Sequence, residues 1–177
     1  YVDVMMLRAH DHANSIVRDE LNATPQANLV LGLRSLQSFM KGKLIWQIEA
    51  AADGLTRDIT GKNFEFDSSN TILNTLNDFL PLKYSTSYSW AGKTKIDYNG
   101  KYLGLSAEYY RVQPEYTTFG TDYMMNDQQR ITFKERFRLK NGKNSFVFSQ
   151  YYQNDNLTNK KAITTGRINL NNLWNFS

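Results

Sequence analysis

Along most of this chain apolar and polar residues alternate one by one, and the alternation comes in long runs. The clearest spans Lys83 to Tyr98. Even positions carry Tyr84, Thr86, Tyr88, Trp90, Gly92, Thr94, Ile96 and Tyr98, whereas odd positions carry Lys83, Ser85, Ser87, Ser89, Ala91, Lys93, Lys95 and Asp97. A strand turns successive side chains to opposite faces, so this run predicts one aromatic, apolar face and one small, polar or charged face. From Gln129 to Lys140, Ile131, Phe133, Phe137 and Leu139 share a face with Glu135, against Arg130, Thr132, Lys134, Arg136, Arg138 and Lys140. Likewise Leu44, Trp46, Ile48, Ala50 and Ala52 oppose Gln47, Glu49 and Asp53, and Ile168, Leu170 and Trp174 oppose Arg167, Asn169 and Asn171.

The pattern predicts eight strands, at roughly 1–8, 28–40, 43–57, 83–98, 101–113, 129–140, 144–154 and 161–174. Within 28–40 the apolar set Leu29, Leu31 and Leu33 shifts register to Leu36, which predicts a bulge. Short turns join some runs: Met40-Lys41-Gly42-Lys43, Tyr98-Asn99-Gly100-Lys101 and Lys140-Asn141-Gly142-Lys143. The other connections are long, at about 9–27, 58–82 and 114–128, with a shorter one near 155–160. Strands of about ten residues, with short turns on one side and long loops on the other, are the layout of an outer-membrane barrel. The expected fold is therefore all-β, an antiparallel transmembrane β-barrel occupying residues 1–177 as one domain. Loop 58–82 holds Ile72, Leu73, Leu76, Phe79 and Leu80 at helical spacing before Pro81, with Asn70 as the N-cap, so a short helix is expected over the rim.

Composition changes this picture little. The hydrophobic fraction is 41% and the mean hydropathy −0.56, values compatible with a barrel whose strands turn only alternate residues to lipid. No run of about twenty apolar residues exists, so no transmembrane helix is expected. Aromatics reach 14%, mostly Tyr and Phe, which suits the membrane–water boundary. The absence of cysteine removes disulfides, thiol catalysis and thiolate-bound metals. A net charge of +4 would fit nucleic acid, but a binder of that kind wants aromatics and cations on one face, and here they alternate onto opposite faces.

Two segments resemble a known family. Leu7-Arg8-Ala9-His10-Asp11-His12-Ala13-Asn14-Ser15-Ile16, followed by Pro25-Gln26-Ala27-Asn28-Leu29-Val30-Leu31-Gly32-Leu33, is similar to a pattern in large outer-membrane β-barrel proteins of Bacteroidota. That pattern runs K-A-x-D-D-x-N-S, then P-x-E-N-x-V-x-G. Tyr110-Arg111-Val112-Gln113-Pro114-Glu115-Tyr116-Thr117-Thr118-Phe119-Gly120, continuing to Asn126-Asp127, resembles the family's Y-x-R-V-x-P-x-Y-x-T-x-G segment ahead of N-D. The stretch Phe39 to Asp58 also resembles its F-x-x-K-L-x-x-x-x-E-x-A-x-S-x-x-x-R-D. His12 and Ala27 stand where the family tends to have Asp and Glu, which removes two carboxylates from that region. The resemblance implies a barrel of more than eight strands, of which this chain is a piece incomplete at both ends. It also implies a bacterial outer-membrane location and a non-enzymatic scaffold or accessory role in an envelope complex for secretion, nutrient uptake or barrel assembly. Membrane lipid, lipopolysaccharide and other outer-membrane or surface proteins are the partners it implies.

Candidate residues follow from the faces. Lys93, Lys95, Arg130, Lys134, Arg136, Arg138 and Arg167 are expected to face the lumen, either in an ion-pair lattice with Glu49, Asp53, Asp97 and Glu108 or as an anion path. Trp46, Ile48, Tyr84, Tyr88, Trp90, Phe133, Phe137, Leu170 and Trp174 are expected to face lipid. In the loop after Pro114, Tyr116, Phe119, Tyr123, Met124 and Met125 form a partner-binding surface if exposed and a structural plug if folded onto the rim. Asp122, Asn126 and Asp127 are a weak hard-cation set. His10, Asp11, His12 and Ser15 read as a solvated loop rather than a metal or Ser–His site, so no catalytic residue, metal or cofactor is expected. The Asn22 and Asn156 glycosylation patterns read as chance. Two alternatives stay open: a pore with a basic lumen, and a soluble lipocalin-like barrel with its apolar residues inside.

Overall fold

The computed structural model describes residues 1–12, 24–67, 69–121, 124–139 and 144–175. Among these residues eight strands form one antiparallel meander: β1 (Val2–His10), β2 (Ala27–Phe39), β3 (Leu44–Thr56), β4 (Thr86–Asn99), β5 (Leu103–Val112), β6 (Gln128–Arg138), β7 (Ser145–Asp155) and β8 (Gly166–Asn175). Each strand pairs with its neighbours in sequence, and the sheet is open, with β1 and β8 as its edges. The all-β antiparallel architecture is thus present, whereas the expected closure into a barrel is not.

Register carries the alternation across the whole sheet. Leu31, Ala52 and Trp90 lie in one row, and Ala107, Phe133, Gln150 and Leu170 in another. The rows between them are polar: Arg34, Glu49, Lys93 and Tyr110 form one, and Ser106, Lys134, Ser149 and Asn171 form another. The bulge expected in β2 is absent, because Ala27 to Phe39 pair one-to-one with Thr56 to Leu44. Leu36 does not need a shift of register; it stands on the polar face opposite Gln47.

The short turn at 40–43 is built on left-handed backbone at Met40, Lys41 and Gly42 and closed by the Gly42 N–H donating to the Phe39 carbonyl. The turn expected at 140–143 lies outside the described residues. Among the described residues one helix, α1 (Thr71–Phe79), starts on the Asn70 side chain, which accepts from the Leu73 N–H at 3.2 Å. It ends at Leu80, whose N–H donates to the Leu76 carbonyl, one residue before Pro81. Tyr84, expected in β4, precedes that strand; its ring packs edge-on against Phe64 with the Lys62 ammonium over it. The last strand likewise starts at Gly166 rather than 161, because residues 156–165 are held in a loop by side-chain bonds.

Two long connections leave the same end of the sheet and cover opposite faces. The β3–β4 connection places Ile59, Phe66, Leu73, Leu76, Leu80 and Leu82 against Ala27 and Leu29, on the apolar face. Leu80 lies over Gly54, where an added Cβ would come within 2.5 Å of its side chain. The β5–β6 connection places Tyr116 against Ala91 and Val112, with Ala51, Tyr110 and Met124 around it, on the polar face.

Candidate functional site: the charged face of the sheet

Period-two alternation puts the basic residues of β4 and β6 on one face, where Lys93, Lys95 and Arg130 each meet a carboxylate across the strand pair or two residues along the same strand. Over much of this face charges are matched. Glu49 lies between Lys93 at 2.9 Å and Arg34 at 3.6 Å, Lys95 meets Asp97 at 2.9 Å, and Arg130 meets Glu108 at 3.2 Å. Arg130 also stacks over the Tyr110 ring at 5.5 Å. The lattice expected from sequence therefore holds for Lys93, Lys95 and Arg130, and it recruits Arg34, which the alternation of β2 places on this face.

Lys134, Arg136, Arg138 and Arg167 have no carboxylate partner among the described residues. Lys134 stands between Ser106 and Ser149, and Arg136 between Gly104 and Val147. The Arg136 guanidinium lies flat on the Gly104 backbone, one Nη donating to Asn99 Oδ1 at 3.2 Å. A depression of about 570 Å³ opens here, lined by Lys95, Asp97, Lys134, Arg136 and Tyr151 among others. A second, of about 1020 Å³, lies nearer the loops and includes Arg130, Gln153, Lys161 and Arg167.

Asp53 departs from its expected role. It meets none of the basic residues as an ion pair; it is buried, accepts from the Thr117 N–H at 3.3 Å, and keeps its other oxygen without a donor. Together with Asn28 it anchors the loop folded onto this face. The Asn28 amide donates to the Gly54 and Thr117 carbonyls, and its oxygen accepts from the Phe119 N–H. Tyr116 is consequently buried rather than available to a partner, and Met124 packs beside it. Phe119 and Met125 stay exposed, and Tyr123 lies outside the described residues.

Asp127 does not join a cation set. Its carboxylate accepts from the Leu157 N–H at 2.8 Å and pairs with Lys161, tying the β5–β6 connection to the β7–β8 connection. Burial pushes the Asp127 carboxyl up, but the hydrogen bonds from Lys161 and Leu157 outweigh it and hold the group below its ordinary value. Lys161 is correspondingly raised, chiefly by its hydrogen bond to Asp127. Asn126 donates to the Tyr116 carbonyl, and Asp122 lies outside the described residues. Asn156, from the glycosylation pattern, is buried with its amide committed to Lys161 and Thr164.

At the other candidate cluster, Asp11 accepts from the Gln26 N–H at 2.9 Å and the His10 and His12 rings meet edge-on at 5.7 Å; Ser15 lies outside the described residues. Among the described residues no three His, Asp or Glu side chains converge as a metal site requires.

The opposite face holds the remaining predicted residues. Trp46, Ile48, Tyr88, Trp90, Phe133, Phe137, Leu170 and Trp174 share it by register. Polar residues break it within the band, at Gln37, Thr94, Gln150 and Asn172, and at two further places. Arg111, Gln129 and Asn154 form a row at its loop end, with the Arg111 guanidinium 5.8 Å from the Trp90 ring centroid and Gln129 donating to Asn154 at 3.0 Å. Glu135 stands between Leu105 and Phe148. Alternation signals Glu135, but Arg111 is missed because Tyr110 and Tyr109 leave the two faces of β5 alike in polarity. No protein-family model, curated protein or solved structure matches this chain.

Proposed function

We propose that this sheet is part of the wall of a transmembrane β-barrel in a bacterial outer membrane, serving without catalysis as a scaffold or accessory subunit of an envelope complex. The observation that carries the reading is the apolar face left bare beyond the β3–β4 connection. Tyr88 is 61% exposed, Trp90 46%, Phe133 45% and Phe137 44%, and they belong to one band running from β1 to β8. Proteins in water rarely leave so wide an apolar face bare. Acyl chains match its chemistry across its full width. Strand length agrees: ten residues rising about 3.4 Å each, tilted about 40°, reach about 26 Å, the height of a barrel's apolar band.

Other features support the same orientation. In β5, β6 and β7, Arg111, Gln129 and Asn154 end the band on the loop side, where headgroups would begin. Both larger depressions and the folded-in β5–β6 connection lie on the charged face, which would be the lumen. A lipocalin-like arrangement needs the opposite, with the aromatics inside. In hydrocarbon every backbone N–H and C=O must be bonded. The edges of β1 and β8 therefore have to be closed, against each other or against further strands, as the larger barrels of the resembling family would have it.

Extraction tests this reading. Membranes of an expressing cell should release the chain only with detergent, and a Phe133→Lys variant should assemble with about 2–4 kcal/mol less stability in bilayers. Ready solubility in buffer alone would reject it. A pore is the second reading, favoured by the unpaired Lys134, Arg136 and Arg138. Anion-selective conductance in a planar bilayer would establish it, and a silent barrel would leave the scaffold.

A further inference from the structure

We infer that the short-turn half of the charged face binds a free phosphate-class oxyanion, inorganic phosphate or a soluble phosphate ester, through Lys134, Arg136 and the hydroxyls around them. The inference rests on the reading of this face as a lumen for its solute access, and on the geometry of the face for its chemistry.

An interior ion-pair lattice predicts an acid beside every cation. That holds at Glu49, Asp97 and Glu108. It fails for Lys134 and Arg136, whose cross-strand neighbours are Ser106, Ser149, Gly104 and Val147. Asp97, the next residue along the Lys134 row beyond Ser106, is already taken by Lys95 at 2.9 Å. Glu135 belongs to the row of Leu105 and Phe148 on the other face. Two cations two residues apart on one strand, about 7 Å along the chain, therefore remain uncompensated. Lys41, Lys43 and Lys101 in the short turns add positive potential at the same end of the sheet.

The donor set selects the kind of anion. Arg136 offers no Nε–Nη edge to a planar carboxylate, since that Nη is held by Asn99 and the Nε is covered and unpartnered. Its position depends on Gly104, where an added Cβ would meet the guanidinium at 3.0–3.3 Å. What remains is the point charge of Lys134, with single hydroxyls on Ser106, Ser149, Thr132 and Tyr151. None of these hydroxyls makes a side-chain hydrogen bond among the described residues. Separate donors approaching from several sides fit an anion with four acceptor oxygens. The depression of about 570 Å³ accommodates a small ligand.

The test uses the whole chain in detergent, titrated calorimetrically with inorganic phosphate, with acetate, and with dihexanoyl phosphatidylglycerol. Saturable phosphate binding is expected, with acetate weaker by about tenfold. Lys134→Gln should weaken phosphate by about tenfold, while Lys93→Gln, which is paired with Glu49 nearer the long loops, should change it less than about twofold. Unchanged far-UV circular dichroism confirms that each variant folds. Equal losses in the two variants, non-saturable binding, or tighter binding of the phospholipid than of phosphate would each overturn the inference. The two readings fail separately. A chain that dissolves without detergent yet binds phosphate through Lys134 loses the membrane and keeps the site. One that needs detergent and ignores phosphate loses the site and keeps the membrane.

Discussion

The β3–β4 and β5–β6 connections leave the same end of one sheet and are held by different physics. The first lies on the apolar face and is fixed by burial, with Leu80 and Leu82 set into Ala27 and Leu29 and room made by the missing side chain of Gly54. The second lies on the charged face and is fixed mainly by direction, with Asn28 and Asp53 reaching out of β2 and β3 to bond the backbone of Thr117 and Phe119. Each connection matches the surface it covers. Hydrophobic contact is non-directional and tolerates small slips, whereas hydrogen bonds to a buried amide set one position.

That contrast can be broken from either side. The largest effect is expected at Leu80→Ala, which should cost about 3 kcal/mol and speed hydrogen exchange at the Phe64 and Leu82 amides. The Thr117 and Phe119 amides should keep their protection; joint loss would show that the connections do not open independently. Asn28→Ala should cost about 2 kcal/mol and reverse the pattern, exposing Phe119 while Leu82 stays protected.

Asp127→Asn sharpens the polar side further. It should cost about 1–2 kcal/mol at neutral pH by removing the pair with Lys161. The Asp127 carboxyl is held below its unfolded value, so its contribution is complete above about pH 4 and is lost as pH falls through the folded value. The Lys161 ammonium is held above its unfolded value, so its contribution is complete below about pH 10.5 and fades as pH rises through the folded value. Thermal melts of wild type and variant should therefore converge at both extremes and differ most between them. The smallest effect, about 1 kcal/mol, belongs to Asn70→Ala, which removes the cap of α1; circular dichroism of the variant should show frayed helix with the sheet intact.

Much of the fold is legible before any coordinates. The eight strands fall within a few residues of where alternation puts them, and α1 with its Asn70 cap follows from the spacing of Leu73, Leu76 and Leu80. The departures share a cause. Leu36 reads as a bulge because apolar residues were assumed to favour one face, yet the polar face also holds Val30, Ala51 and Val112 beneath the folded-in connection. Tyr84 keeps the alternation but loses the strand to Phe64 and Lys62. Asp53 reads as a lattice partner and Asp127 as a cation ligand because their actual partners, the Thr117 amide and Lys161, lie 64 and 34 residues away.

By itself the sequence determined two faces of opposite chemistry, because a strand ties the direction of each side chain to the parity of its number. The tertiary structure alone decided which connection lies on which face and which cations stay uncompensated. Those outcomes depend on the offsets between neighbouring strands: the same kind of offset that sets Glu49 beside Lys93 leaves Lys134 between two serines.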